Sequence, residues 1–229
     1  MSDRTVERRS FLARVAAAAS AAGGAFLLPD AAASQVPSAP SRTPHPLDAW
    51  LAQLPGAHRL ILDAVTPFGA IEASMFGWNF LRTSGAPYAL KDQDHAVVIT
   101  LRHNATVMAL PQALWDKYPA LVPATAFDNP LAADGASPTS RASILRPGSA
   151  ASVAAPFQFD GLAKRGIHFA ICGAAMGRLT GSAAGPKGDT KAVRAELEAS
   201  LPPNSHVMPS GIVAVQRAQE LGFSYAHTS

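Results

Sequence analysis

Cysteine and charge are both scarce in this sequence, and their scarcity narrows the possible functions. Only 15% of the 229 residues are Asp, Glu, Lys or Arg, and the single cysteine is Cys172. One cysteine excludes an internal disulfide framework and any zinc site built from several cysteines. The formal net charge is +3. The basic residues form no stripe with interleaved aromatic residues, so we predict no nucleic-acid partner. P-loop, GxGxxG, HExxH, GxSxG and haem-attachment motifs are also missing.

Long hydrophobic runs are missing as well, and an uncharged stretch that is only weakly hydrophobic lies near the N-terminus. The uncharged Ala- and Gly-rich segment 15–28 is shorter than the about 20 residues that a membrane-spanning helix needs. It follows Glu-Arg-Arg-Ser-Phe-Leu-Ala at 7–13, which resembles the twin-arginine translocation motif, although Glu7 and Ala13 depart from its usual residues. Small residues at 31–33 are typical of a cleavage site. An uncleaved helical anchor is the alternative to a cleaved signal.

This N-terminal pattern predicts the organisation and the destination of the chain. We expect residues 1–33 to be a twin-arginine signal peptide, read by its translocase, with membrane contact only through that signal before cleavage. The predicted location is the bacterial periplasm. Residues 34–46 contain four prolines with Ser and Thr, a composition typical of a flexible linker. Residues 47–229 are then the folded domain, and without the signal's arginines it is close to neutral.

The folded part alternates strand and helix patterns, which predicts an α/β domain with a mainly parallel sheet. Continuous apolar runs such as 95–101 are typical of parallel strands that are covered on both faces. Residues 84–87 and 91–94 are expected to be loops, and 128–156 a long irregular loop that we expect to be disordered. The predicted strands are 58–65, 95–101, 167–171, 206–208 and an edge strand at 223–227. The predicted helices are 47–54, 71–81, 112–118, 159–165, 189–201 and 210–221.

Cys172 is the residue that most clearly indicates chemistry. It follows a buried strand and precedes Gly173, whose lack of a side chain permits a close backbone approach, at the expected start of a helix. Backbone N–H groups at a helix N-terminus favour a thiolate, which is the reactive form of cysteine. The alternative is an inert cysteine, since free cysteine is among the residues most often buried.

Arg102 and His103 form the second candidate site. They follow the apolar strand 95–101, and functional side chains of parallel sheets gather where strands reach their carboxyl ends. His103 has the chemistry of an acid, a base or a metal ligand. Alternatively, both side chains bond carbonyl groups at a loop or subunit contact. The carboxylates of Asp63, Asp92 and Asp94 are interpreted as caps and turns.

Three segments resemble the DsrE/DsrF-like sulfur-relay family. Residues 206–225, from His206-Val207-Met208 through Pro209-Ser210-Gly211 to Gln219-Glu220 and Gly222-Phe223, are similar to the closing motif of that family. The strand 167–173 that ends in Cys172-Gly173 fits the same family, as does the strand 97–103. The insert at 128–156 and the loop at 181–188 depart from it.

The resemblance implies a flavodoxin-like three-layer α/β subunit that assembles into a homo-oligomer, a dimer, trimer or hexamer. It also implies that Cys172 carries a persulfide. We expect Arg102 and His103 to assist it, and we expect no cofactor or metal. The protein is then an exported sulfur carrier or sulfurtransferase. The alternative is a non-catalytic oligomeric periplasmic binding protein that holds a small ligand, haem or metal near His103 and Cys172. The sequence leaves open whether the chain is an enzyme.

Overall fold

The computed structural model describes residues 45–121, 144–148 and 152–229. The predicted signal peptide, most of the predicted linker and residues 122–143 lie outside this part. The strands are β1 His58–Ala64, β2 His95–Leu101, β3 His168–Cys172, β4 Ser205–Met208 and β5 Ser224–Thr228. The helices are α1 Ala49–Gln53, α2 Pro67–Tyr88, α3 Gln112–Lys117, α4 Phe159–Lys164, α5 Gly173–Ala184, α6 Thr190–Ala199 and α7 Gly211–Glu220.

The five strands form one sheet in the order β4-β3-β2-β1-β5, and every neighbouring pair is parallel. β2 is buried along its whole length, as its continuous apolar run predicts, because helices cover both faces of the sheet. β5 is an edge strand, in agreement with its prediction. The predicted α/β class and the flavodoxin-like three-layer arrangement are therefore confirmed.

The direction of the connections explains which helix covers which face. The crossovers from β1 to β4 all step the same way across the sheet, and right-handed crossovers then place α2 through α6 on one face. The connection from β4 to β5 returns across the sheet, so α7 packs on the opposite face together with α1. Arg217 of α7 pairs with the buried Asp48 beside α1. The two connections that leave β3 and β4 thus diverge to opposite faces.

Helix α2 is longer than its prediction, and the loop predicted at 84–87 is wrong. The Thr66 hydroxyl accepts a hydrogen bond from the Gly69 N–H at 2.9 Å and caps the first turn. The helix continues through Gly85 and Pro87 and ends only at Ala89, whose φ of 55° is left-handed. The Ala89 N–H donates to the Gly85 carbonyl. Glycine and proline in the last turn therefore did not terminate this helix.

Met75 of α2 does not face the sheet and is 47% exposed. The side that packs on the sheet carries small residues, among them Ser74 and Gly77. A Cβ atom at Gly77 would lie 3.1 Å from Ile167 Cδ1. At Gly77 this close approach leaves little room for a larger side chain.

The described parts of the segment 128–156 are irregular, as predicted, but residues 144–146 are packed rather than disordered. Ile144 and Leu145 are fully buried in the core. Arg146 is also buried, and its guanidinium donates to the Ser200 carbonyl at 2.9 Å and to Asp160 at 2.7 Å. Within the described residues, no helix has the length and apolar character needed to cross a membrane.

Candidate functional site

A cavity of about 260 Å³ opens at the carboxyl ends of β2, β3 and β4. It lies where the chain leaves β3 towards one face of the sheet and leaves β4 towards the other, which is where parallel α/β sheets bind ligands. Both candidate sites from the sequence open onto this one cavity. Its lining includes Arg102, His103, Cys172, Arg178, two alanines of α5 and residues 210–212 at the start of α7.

Cys172 is at once the last residue of β3 and the N-cap of α5. Its Sγ atom accepts a hydrogen bond from the Ala175 N–H at 3.4 Å. The thiol is 6% exposed and lines the cavity, so a small reagent has a path to it. The predicted helix N-terminus is confirmed, and the Cys172 sulfur caps the first turn of α5.

Gly173 holds the thiol in place through a close contact with the neighbouring strand. A Cβ atom at this position would lie 2.6 Å from the Met208 carbonyl oxygen at the end of β4. The next residue, Ala174, donates its N–H to the Pro209 carbonyl at 3.2 Å. The first turn of α5 therefore packs closely against the segment that leads into α7 and is hydrogen-bonded to it. The close backbone approach agrees with the expectation for Gly173.

Arg102 is oriented by a carboxylate that the sequence did not indicate as functional. Its Nε and Nη2 atoms donate to Asp63 Oδ1 and Oδ2 at 2.7 and 2.9 Å. Asp63 is fully buried, while the Arg102 side chain is 26% exposed. The hydrogen bond to Asp63 raises the pKa of Arg102, and the negative charge of a Cys172 thiolate acts in the same direction. The interpretation of Asp63 as a cap or turn residue is wrong.

Tyr225 on the edge strand completes the environment of Asp63. Its hydroxyl donates to Asp63 Oδ2 at 3.0 Å. Burial raises the pKa of Tyr225, and this hydrogen bond raises it further. The buried carboxylate thus accepts three hydrogen bonds, which satisfies an anion that would otherwise be costly to bury.

Gly211 lets helix α7 pass directly over Arg102. A Cβ atom at Gly211 would lie 2.4 Å from Arg102 Cβ and 3.1 Å from Thr100 Cγ2. No larger residue fits there unless Arg102 moves. Ser210 is the N-cap of α7, but its side chain makes no capping hydrogen bond. Its hydroxyl lies at the cavity wall without a hydrogen bond to its own helix.

His103 lies at the mouth of the cavity and is exposed. Its φ of 53° is left-handed, a conformation that costs energy in a residue other than glycine and often occurs at functional sites. Backbone hydrogen bonds from Arg102 and Ala105 to residues at the end of β1 hold the segment on either side. Arg102, His103 and Cys172 thus line one cavity, and their catalytic roles stay a prediction.

Arg178 is a second guanidinium at the cavity, and the sequence did not single it out. It lies one turn after Ala174 and Ala175 on the same side of α5. Among the described residues it has no carboxylate partner and no hydrogen bond. The sequence holds no local signal for Arg178, because its place at the cavity follows only from a helix that begins at Cys172.

The cavity has few groups suited to holding a metal. Cys172 and His103 are the side chains there with metal-ligating atoms. Across residues 45–121, 144–148 and 152–229, no group of three or more His, Cys, Asp or Glu side chains is placed to hold an ion. The charged lining of the cavity consists of the two guanidinium groups of Arg102 and Arg178, and no carboxylate of the described residues lines it.

Comparison with known proteins gives no family assignment. No protein-family model matches the chain, and neither a curated protein nor a solved structure matches it. The resemblance to the DsrE/DsrF-like family therefore stays a prediction that depends on the segments described above.

Proposed function

We propose that this protein carries sulfane sulfur on Cys172 and passes it to an acceptor thiol. The observation that carries the proposal is the position of the Cys172 sulfur: it accepts the Ala175 N–H at a helix N-terminus and lines a cavity shared with Arg102. Backbone N–H groups and a nearby guanidinium both favour the nucleophilic thiolate. The resemblance to sulfur-relay proteins supports the same chemistry.

The proposed transfer takes two nucleophilic displacements. The Cys172 thiolate attacks a terminal sulfur of a polysulfide, the new S–S bond forms, and a polysulfide one sulfur shorter leaves with the electron pair of the broken bond. An acceptor thiolate then attacks the outer sulfur of the Cys172 persulfide, and the Cys172 thiolate is the leaving group. The open cavity gives both partners access to the sulfur.

The proposal extends to export and assembly. The twin-arginine-like segment at 7–13 supports export of the folded protein to the periplasm, and the resemblance supports a homo-oligomer of two, three or six subunits. In an oxidising compartment a persulfide carrier needs protection from over-oxidation. Burial of Cys172 to 6% exposure supplies part of that protection.

Mass spectrometry tests the proposal directly. Incubation of the protein with inorganic polysulfide should add the mass of one or more sulfur atoms to the peptide that contains Cys172, and a thiol reductant should remove it. Cys172→Ser should stay unmodified under the same conditions. A wild-type protein that acquires no sulfur would overturn the proposal.

The alternative is a non-catalytic periplasmic binding protein that holds a small ligand, haem or metal. One observation favours it: His103 and Cys172, the two metal-ligating side chains, line the same cavity. Protein purified from its native host should then show a visible absorption band or a bound metal that His103→Ala weakens. A colourless, metal-free preparation would contradict this alternative.

A further inference from the structure

The cavity that contains Cys172 has two guanidinium groups and no carboxylate of the described residues to neutralise them from within the cavity. Asp63 engages only one side of Arg102, through Nε and Nη2. The Nη1 group of Arg102 has no acceptor among the described residues. Arg178, on the other wall, also has no such partner. The two arginines therefore leave N–H donors without a protein partner at the cavity that Cys172 lines.

Guanidinium groups select a particular kind of anion. Their planar N–H forks match the paired oxygens of carboxylate, sulfonate or phosphate groups, and these charge-assisted hydrogen bonds are about twice as strong as neutral ones. Sulfide sulfur is a weaker acceptor than an oxyanion. The Ser210 hydroxyl, which does not cap α7, adds a further donor at the cavity wall. These donors favour a ligand that has an oxyanion end.

The thiol and the arginines impose opposite requirements on the two ends of that ligand. Cys172 needs a sulfane sulfur that a thiolate can attack, and the arginines need oxygen atoms. Resting on the proposed function, we infer that the donor is a sulfane sulfur compound that ends in a sulfonate group, with inorganic thiosulfate as its simplest member. Arg102 and Arg178 hold the sulfonate oxygens, and the outer sulfur points towards Cys172.

The transfer from such a donor balances without an added oxidant or reductant. The Cys172 thiolate attacks the outer sulfur of thiosulfate and forms the new S–S bond. The original S–S bond breaks, and its electron pair leaves with sulfite. One thiolate and one dianion become one persulfide anion and one dianion. The arginines stabilise the negative charge that moves onto the sulfonate sulfur and its oxygens as sulfite departs.

Binding is tested apart from chemistry in the full-length Cys172→Ser protein, which retains an N-cap hydroxyl for α5. Calorimetric titration with thiosulfate should show binding that Arg178→Gln weakens about tenfold, as expected for loss of one charge-assisted hydrogen bond. Lys187→Gln is the matched control, because it removes an exposed cation from the turn after α5 that does not line the cavity. Equal weakening by the two variants would overturn the inference.

Loading of the wild-type protein then separates this inference from the proposed function. Thiosulfate should load Cys172 with one sulfur and release an equal amount of sulfite, and Arg178→Gln should slow this loading more than loading from inorganic polysulfide. If polysulfide loads Cys172 but thiosulfate neither binds to the protein nor loads it, the donor assignment is overturned and sulfur transfer stays intact. Failure of both donors would overturn the proposed function and the donor assignment with it.

Discussion

The carboxylate of Asp63 is fully buried and accepts two hydrogen bonds from the Arg102 guanidinium, at 2.7 and 2.9 Å. The two residues are far apart in sequence but lie at the carboxyl ends of adjacent strands, where Asp63 pairs in register with Thr100. The Arg102 side chain is held by the buried Asp63 carboxylate and also lines the cavity. The pair therefore positions this guanidinium at the site.

Removal of Arg102 should therefore destabilise the fold more than removal of both members of the pair. Arg102→Met leaves a buried carboxylate with Tyr225 as its remaining close donor, and we expect a loss of about 2–3 kcal/mol, since Arg102 itself is partly exposed. The double variant Asp63→Asn with Arg102→Met should recover part of this loss, because the uncompensated charge is gone. Urea unfolding measures both values. A double variant less stable than Arg102→Met would contradict this account.

Cys172 has a structural role as well as the proposed chemical one, and two substitutions separate them. Cys172→Ser keeps an acceptor for the Ala175 N–H and should change the free energy of unfolding by less than about 0.5 kcal/mol. Cys172→Ala removes the acceptor and should cost about 1 kcal/mol. Both should abolish sulfur loading. Thermal unfolding and mass spectrometry on the same samples test this. Equal stability of the two variants would show that a hydrogen-bond acceptor at position 172 does not stabilise the start of α5.

The parts of the fold that depend on local pattern could be predicted from the sequence. The apolar, β-branched run at 95–101 indicates a covered strand in any context, and Cys172 followed by Gly173 marks the end of one strand and the start of a helix. Asp189 stands at the start of the predicted helix 189–201 and is of a residue type that favours the N-cap, and its carboxylate accepts the N–H groups of Lys191 and Ala192. In each case the signal lies within a few neighbouring residues.

The parts that depend on distant contacts could not be predicted. Asp63 meets Arg102 only through the register of two strands, and no local feature distinguishes it from a turn carboxylate. Arg178 reaches the cavity only because α5 begins at Cys172. The loop predicted at 84–87 was also wrong, since the helix continues through Gly85 and Pro87 to the left-handed Ala89 although its buried residues end at Leu81.

Two glycines give opposite predictions for the same substitution. Gly211→Ala would place a Cβ atom 2.4 Å from Arg102 Cβ, so we expect a loss of stability of about 1–3 kcal/mol and weaker thiosulfate binding as Arg102 is displaced. Gly177→Ala, in the middle of α5, meets nothing within 4 Å and should add up to about 1 kcal/mol, because alanine is the better helix former. Denaturant unfolding compares them, and the same sign for both would contradict the close contact at Gly211.

A pair of histidines away from the cavity should make stability depend on pH. His168 Nδ1 lies 3.0 Å from His206 Nε2, so one of these nitrogens donates its hydrogen to the other. The Trp50 ring stacks on His206 with centroids 3.8 Å apart and planes 4° from parallel. Burial, and then the neighbouring charge of His168, lowers the pKa of His206 to about 4, and burial lowers that of His168. Near neutral pH the folded state therefore holds both rings neutral.

The sign of the effect follows from proton uptake. Above about pH 6.5, the ordinary pKa of histidine, neither state takes up protons at these residues and the pair costs nothing. As the pH falls from about 6.5 to 4, the unfolded chain binds protons that the folded state excludes, so the free energy of unfolding decreases. His206→Gln should make this decrease shallower, even if it lowers stability at neutral pH, whereas His45→Gln, at an exposed position, should leave it unchanged. Urea unfolding between pH 7 and 5 measures the slopes, and equal slopes for wild type and His206→Gln would show that the pair does not titrate as described.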